Sequence, residues 1–572
     1  MFRKEPSMVF VRPWPRPAVL AALAIVMSLL PAGEGPAFAD DSEIEKLRTE
    51  LRQLREEVKE LRGGTRATPA AVPSGEARPG RRPSTEAPAT HGEVEALEHE
   101  VHVLERKGEV AQEENESKFL KLPKQVELGS QGLKVVSSDQ NFILYTRGLI
   151  QADGSYFMDD SRPVRSNPNG DNLNDSFYMR RVRPILEGTL WKYVDYRIMP
   201  DFAGGNARLF DAIVDLRYFR FASLAAGKFK SPISLERLQS ASALTFVERA
   251  FPTQVAPNRD VGFLLHGEFD QPGHASDFSM TGRNMTVSGN FPMFMYPDFF
   301  SYQFAVVDGS SNNGSLDSDN NDSKEFQGRV FSHPFLNSGY RWAEGLGIGL
   351  AGSWGDPNDV TLSSFQSTGL QTIFAYDKNA KGDGVHSRIY PQSYWIWGPF
   401  QLQLEYAWSK QEVGNQVTEG SFTKNVETID QTISAWNVTA SWVLTGEKNV
   451  FLNQGIKPFH NFNPWQRHWG AFQVAARASA IDFDGDVFRN VGDDAKPVYP
   501  FADPRISVAQ AMEWAVGINW WLNPNVKLML DYTQTRFNGG DGLYDEAGKL
   551  VSSTVFDRET EKVWQTRVQV GF

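Results

Sequence analysis

At 572 residues with a mean hydropathy of -0.40, the chain has no apolar run of the roughly 18 or more residues that a spanning helix needs, which excludes a helical membrane bundle. Cysteine is absent, which excludes disulfide frameworks, thiolate metal sites and cysteine nucleophiles, and the formal net charge of -12 argues against nucleic acid as a partner. Aromatic residues make up 12%, with 15 Trp and 39 Phe, a high share for so polar a chain; aromatic girdles at two membrane interfaces would explain it, and a carbohydrate-binding β-protein is the plainer alternative.

Arg3, Lys4, Arg12 and Arg16 precede an apolar stretch from Ala18 to Leu30, followed by Ala37-Phe38-Ala39 before Asp40. That order predicts a secretory signal over 1–39, cleaved after Ala39. The apolar stretch reaches only about 20 Å at 1.5 Å per residue, too short for an anchoring helix. Over 40–62, Ile44, Leu47, Leu51, Leu54, Val58 and Leu61 recur at steps of three and four, the seam of a coiled coil. A lone amphipathic helix is marginal in water, so the seam calls for self-association, and a homotrimer is the expected assembly. Residues 63–91 read as a Pro/Ala/Gly-rich linker, and 92–122 as a second short helical segment seamed by Val94, Leu97, Val101 and Leu104. This N-terminal stalk is expected in the periplasm, either as a clamp on the trimer or in contact with the cell wall.

Over 123–572 the spacing changes to period two, broken by Asn, Asp and Gly. At the C-terminus Trp564, Thr566, Val568, Val570 and Phe572 alternate with Gln565, Arg567, Gln569 and Gly571, as in a strand with lipid on one face and water on the other. Val526, Leu528, Leu530 and Tyr532 oppose Lys527, Met529, Asp531 and Thr533 after the turn Asn523-Pro524-Asn525. Leu402, Leu404, Tyr406 and Trp408 oppose Gln401, Gln403, Glu405 and Ser409 after Gly398-Pro399. A soluble sandwich would alternate similarly, but these polar faces carry many charges of both signs, and Trp and Tyr gather near strand ends, where headgroups would lie. At about 25 to 30 residues per strand and loop, the segment provides about 16 strands. The fold class read here is an all-β transmembrane barrel of about 16 antiparallel strands with an α-helical coiled-coil stalk, placed in the cell outer membrane and surrounded by its lipid. The acidic stretches Asp159 to Asp175 and Asp308 to Glu325 read as long solvated loops.

With the apolar parity toward lipid, Arg181, Arg183, Glu187 and Thr189 face the lumen and Val182, Leu186 and Leu190 face out, with Pro184 on the lipid side. Asp211, Asp215 and Arg217 face in, as do Lys228 and Lys230, and Arg147, Arg329 and Arg477 join them. Cations along a constriction attract anions, and the planar fork of Arg suits phosphate oxygens. The alternative is that these cations pair with the lumen's own Asp and Glu and brace the wall.

From Phe177 onward the chain resembles the phosphate-selective porin O and P family. The resemblance rests on Met179-Arg180-Arg181-Val182-Arg183, Gly227-Lys228-Phe229-Lys230-Ser231-Pro232 with Ser234-Leu235-Glu236, Phe246-Val247-Glu248-Arg249, and Pro257-Asn258-Arg259-Asp260-Val261-Gly262. Gly328-Arg329-Val330-Phe331, Ser441-Trp442-Val443-Leu444-Thr445-Gly446-Glu447 and Trp469-Gly470-Ala471-Phe472 with Ala476-Arg477 follow in order. It implies a 16-stranded homotrimeric channel in which an arginine ladder guides anions to a lysine-bearing constriction. Arg180 and Arg181 are carried over as ladder residues, and Lys228, Lys230 and Arg259 with them; the constriction lysines have no matching motif. The expected function is passive diffusion of anions, phosphate or polyphosphate among them, with no cofactor. A weakly selective general porin and an envelope tether are the alternatives. An enzyme would need a nucleophile and a base, and His266, His333 and His468 lie near no nucleophile motif, so no catalysis is expected.

Overall fold

The computed structural model describes residues 126–572, except 159–172, 220, 270–298, 319–321, 420–421, 451–454, 495 and 545–548, together with His99, His102, Val103 and Arg106. The predicted signal, coiled coil and linker lie outside the described residues, as does nearly all of the second helical segment.

Among the described residues sixteen antiparallel strands form a closed barrel. The first six are β1 Ile143–Phe157, β2 Ser176–Leu190, β3 Val194–Asp201, β4 Arg208–Phe219, β5 Ala222–Lys230 and β6 Arg259–Phe269. Next come β7 Phe300–Val307, β8 Glu325–Ser332, β9 Leu346–Gly355, β10 Ala380–Trp397 and β11 Phe400–Glu419. The last five are β12 Phe422–Val443, β13 Ala471–Phe483, β14 Val508–Trp521, β15 Val526–Tyr544 and β16 Glu561–Gly571. Each strand pairs with the next, and β16 returns to β1 from Gly571↔Leu149 to Val563↔Phe157, so no wall edge is left open. The Phe572 and Gly148 backbones complete the seam by exchanging N–H···O bonds of 3.0 and 2.8 Å.

Burial follows the expected parity, with the sense of a soluble protein inverted. In β16, Gln565, Arg567 and Gln569 are buried while Val568 and Val570 are exposed, and β2 exposes Pro184 and Leu186 while burying Arg183 and Glu187. Charges inside and aliphatics outside suit a wall between water and lipid. The even-numbered strands all run toward the end that carries Phe572. Aromatic contacts gather there: Phe142–Trp191, Tyr193–Tyr218, Phe269–Phe300, Phe400–Trp442 and Phe472–Trp520, at centroid separations of 5.0 to 5.9 Å. Tight turns at this end have visible causes. Asn523 Oδ1 accepts from Asn525 N and Val526 N, both at 2.9 Å, and Gly398, at a φ of 57°, takes the left-handed position between β10 and β11.

The lumen is divided. The 231–258 segment between β5 and β6 folds inside the barrel, carrying the short helices α1 Leu235–Leu238 and α2 Pro252–Val255. Its backbone is tied to the wall by side chains: Gln151 Nε2 donates to Ala241 O, Lys527 Nζ to Leu244 O and Asn519 Nδ2 to Thr245 O, at 3.0, 2.7 and 2.8 Å. In the other direction, Asp531 accepts from Val247 N and Glu405 from Leu235 N and Glu236 N. A second segment, around Phe365–Gln366 and Thr372–Phe374, also enters, and the amide of Gln254 exchanges bonds of 2.6 and 2.8 Å with the backbone of Gln366. Around these loops, on the β9–β15 side, Phe251, Phe365, Phe374, Phe483 and Phe501 belong to one buried apolar cluster. The 308–325 segment, expected as a solvated loop, is partly internal: Ser310 and Asn312 are buried because Asp260 accepts from Ser310 N and Arg388 donates to Asn312 Oδ1.

Glu405→Ala would leave two N–H groups of the first loop turn without acceptors, a loss of about 1–3 kcal/mol for each. It is expected to lower the temperature at which the barrel loses its compact electrophoretic migration and to increase open-channel current noise.

Candidate functional site

Two cavities lie against β1–β6 and β16, where the wall is rich in arginine. Two β-bulges shape it. Gln151 pairs with Arg181 but Ala152 pairs with Met179, so Arg180 has no opposite residue and escapes the alternation. Neighbouring guanidiniums thereby both reach inward: Arg181 donates to Gln151 Oε1 at 2.6 Å, and Arg180 grips Glu248 of the inserted loop through two bonds of 2.5 and 3.0 Å. The second bulge falls where Met199 pairs with Asp211 and Pro200 with Leu209, skipping Phe210. Arg183 and Arg259 both stack on the Phe210 ring, 4.3 and 4.4 Å from its centroid. Each is also held by a carboxylate, Arg183 by Asp201 at 2.7 Å and Arg259 by Asp211 at 2.9 Å.

The loop adds cations of its own. Arg237 donates to Thr253 O and Asn313 Oδ1 at 2.5 and 2.9 Å, and Arg249 to Glu236 O and Gln239 O, both at 3.1 Å. Lys230 reaches the carbonyls of Leu238 and Gln239 at 3.2 Å. One cavity is lined by Arg180, Arg181, Arg183, Lys230, Arg237, Arg249 and Arg259, and among the described residues the single acid on its lining is Glu248. Burial would raise the Glu248 carboxyl, but Arg180, then Arg181 and Arg567, hold it at about 2, so it stays ionised. Burial, then the like charges of Arg249 and Arg259, pushes the Arg237 guanidinium down to about 9, which still leaves it charged at neutral pH. A second cavity lies toward the C-terminal end, sharing Arg183, Lys230, Ala241 and Arg259 with the first and adding Arg147, Arg197 and Lys457; no acid lines it among the described residues. The two cavities meet around Ala241 of the inserted loop.

Arg180, Arg181, Arg183, Lys230 and Arg259 of the sequence-derived set are thus brought together. Lys228, Arg329 and Arg477 line neither cavity. The Lys228 ammonium meets Asp317; Arg329 lies on Phe331 and donates to Gln392 and Gln303; Arg477 pairs with Glu513 at 2.9 Å and holds Glu248 O at 2.7 Å. Arg237 and Arg249 were not among the expected site residues. Arg249 stands inside a stretch that carried the family resemblance and Arg237 directly follows one, but strand parity assigns no direction to a loop residue. Much of the remaining wall charge is compensated: Arg147 pairs with Glu187, Arg217 with Asp195, and Arg567 with Asp153 at 2.6 Å.

Residues 150–539 match the family described as phosphate-selective porin O and P. Porin O of Pseudomonas aeruginosa is 24% identical over 432 residues, which cover 71% of this chain and 85% of that protein. Among solved structures, the anion-selective porin from Comamonas acidovorans is 11% identical, with a TM-score of 0.42 and coverage of 75% of this chain and 100% of that one. The trimer form of OmpT from Vibrio cholerae is 9% identical, with a TM-score of 0.40 and coverage of 75% and 99%.

Glu248→Gln would remove the acid that neutralises Arg180. It is expected to raise the anion-to-cation permeability ratio on the order of threefold, the effect of about 0.7 kcal/mol at a partly screened pair. The check is the reversal potential across a planar bilayer under a salt gradient.

Proposed function

The chain belongs to the phosphate-selective porin O and P family, and from that premise we propose that it is an outer-membrane porin for passive diffusion of anions, phosphate or polyphosphate among them. The observation that carries the anion reading is the imbalance in the first cavity, where seven cations share a lining with one acid already engaged by Arg180. Among the described residues Arg181, Arg237 and Arg249 bond to neutral acceptors, which supports their charge being available to a solute. The apolar filling on the β9–β15 side confines the anion to a path beside low-dielectric material, where each cation acts at greater strength than in open water.

An anion entering from the mouth opposite Phe572 would exchange part of its hydration shell for guanidinium donors at Arg180, Arg181, Arg237 and Arg249. It would pass Arg183, Lys230 and Arg259, which line both cavities, and leave past Arg147 and Arg197. Planar guanidiniums present paired donors to tetrahedral oxyanions, which favours phosphate over chloride. A series of sites that share cations lets an anion be handed on without being trapped. The mouth that carries Phe572 would face the periplasm. Trimeric association, with 40–62 as its coiled coil, completes the reading; a stalk that instead holds the envelope would be betrayed by loss of envelope integrity, at unchanged conductance, on deleting 41–122.

Arg181→Glu and Arg237→Gln are each expected to reduce the anion-to-cation permeability ratio on the order of tenfold, or about 1.4 kcal/mol. Reversal potentials in a chloride gradient, followed by titration of phosphate against the chloride current, make the test. An unselective or cation-preferring current in the unmodified channel would overturn the anion reading. Anion preference without inhibition by phosphate would leave a general anion porin.

A further inference from the structure

Every loop at the Phe572 end follows an even-numbered strand, and the one between β12 and β13 departs from the barrel in an unusual way. Its early part turns toward the lumen, where Ile456 is buried against Trp521 and Lys457 lines the second cavity. It then emerges onto the outside of the wall. Phe462 packs edge-on against Trp520, a lipid-side residue of β14, at 5.3 Å, and Phe462 N donates to Leu522 O at 2.6 Å. Trp520 Nε1 donates to Trp469 O, also at 2.6 Å, so the outer wall grips the loop at both of its shoulders.

Between these shoulders the chain forms a rigid turn. Asn463 and His468 exchange backbone bonds of 2.8 and 3.0 Å, and Asn463 Oδ1 accepts from Trp465 N and Gln466 N. Arg467 takes the left-handed conformation that closes the turn, and His460 stacks on His468 at 4.4 Å. What this turn presents is an indole. Trp465 is 91% exposed, beside the exposed Phe459 and Trp469. An ordered, capped turn that holds a Trp outward has organised a surface for something other than water.

Two observations identify the occupant. The patch continues the aromatic belt of the barrel wall through Phe472–Trp520, Phe462–Trp520 and Phe462–Trp469, so it lies at the level where lipid headgroups meet the wall. Its charge is also reversed relative to the chain. Apart from Lys457, which is turned to the lumen, the sequence from Leu444 to Trp469 holds Lys448 and Arg467 against one acid, Glu447, which is buried and accepts from Phe459 N, while the whole chain carries -12. An exposed indole flanked by Arg and His fits a phospholipid leaflet, with the ring among the acyl-chain ends and the cation on phosphate. We propose that the Phe459–Trp469 turn is a lateral anchor that inserts Trp465 into the adjacent phospholipid leaflet, with Arg467 binding headgroup phosphate.

Because the chain has no cysteine, Gln466→Cys carries a single nitroxide in the full-length protein. In vesicles of mixed phosphatidylcholine and phosphatidylglycerol, the label is expected to be relaxed several-fold more by dissolved oxygen than by a water-soluble nickel chelate. Adding Trp465→Glu is expected to invert that preference while conductance and compact migration stay unchanged. Arg467→Glu is expected to abolish the deeper insertion seen with phosphatidylglycerol relative to phosphatidylcholine alone. A label open to the nickel chelate with Trp465 in place would overturn the proposal by placing the turn in water. A label shielded from both relaxants would overturn it in favour of a protein surface, such as a second copy of the chain.

Discussion

A polypeptide segment inside a barrel lumen is surrounded by few partners, and each of its backbone N–H and C=O groups needs one. The inserted loop meets that demand with wall side chains rather than with secondary structure, because its two helices have only one turn each. Gln151, Lys527, Asn519, Arg477 and Gln569 all end on loop carbonyls, and they come from β1, β15, β14, β13 and β16. The charged residues Glu405 and Asp531 take loop N–H groups. Many of the polar residues that strand alternation turns inward therefore serve first as the loop's hydrogen-bond surface. Where the loop lies decides which part of the lumen remains for solute.

The placement has an electrostatic consequence. Attachment to β13–β16 and β1 lets the loop and its apolar neighbours fill the β9–β15 side, and the two cavities are left beside β1–β6. There the wall cations sit in a ladder of ion pairs, Arg147–Glu187, Arg197–Asp211 and Arg183–Asp201 among them, which by themselves add little net charge to the cavities. The excess comes from residues outside that ladder: Arg181 beside a bulge, and Arg237 and Arg249 on the loop. A paired wall gives rigidity at high charge density, while an unpaired minority sets the sign of the field. This division explains how a chain of net charge -12 can enclose a cationic cavity.

Most of the wall was legible in the sequence because a barrel strand repeats every two residues, and a lipid face and an aqueous face differ sharply in chemistry. The facings of Trp564 to Phe572, of Val526 to Thr533 and of Arg181 to Leu190 all follow that rule, including Pro184 on the outside. Alternation fails at a bulge. It would turn Arg180 away from the side that Arg181 faces, and only family resemblance brought the two together. Nothing in the alternation marks Phe210 as the ring between two guanidiniums. It fails again for the loop, which has no period: Arg237 and Arg249 acquire direction from contacts with Thr253, Asn313, Glu236 and Gln239, all distant from any strand pattern.

Both bulges occur where a regular ladder would have prevented the site. Pro200 has no N–H to give to a neighbouring strand, so the β3–β4 register can shift there at small cost, and the shift leaves Phe210 unopposed. On the other side of Arg183, the skipped position at Arg180 doubles the charge that one strand can send inward over two residues. A perfect strand offers at most one inward side chain per two residues, about 6.6 Å of rise. Crowding guanidiniums beyond that limit requires either a bulge or a second chain segment. This barrel uses both, and they converge at Glu248, where the bulged Arg180 meets the loop. The carboxylate there neutralises one of the crowded guanidiniums, so the surplus charge of the cavity is smaller than its number of cations.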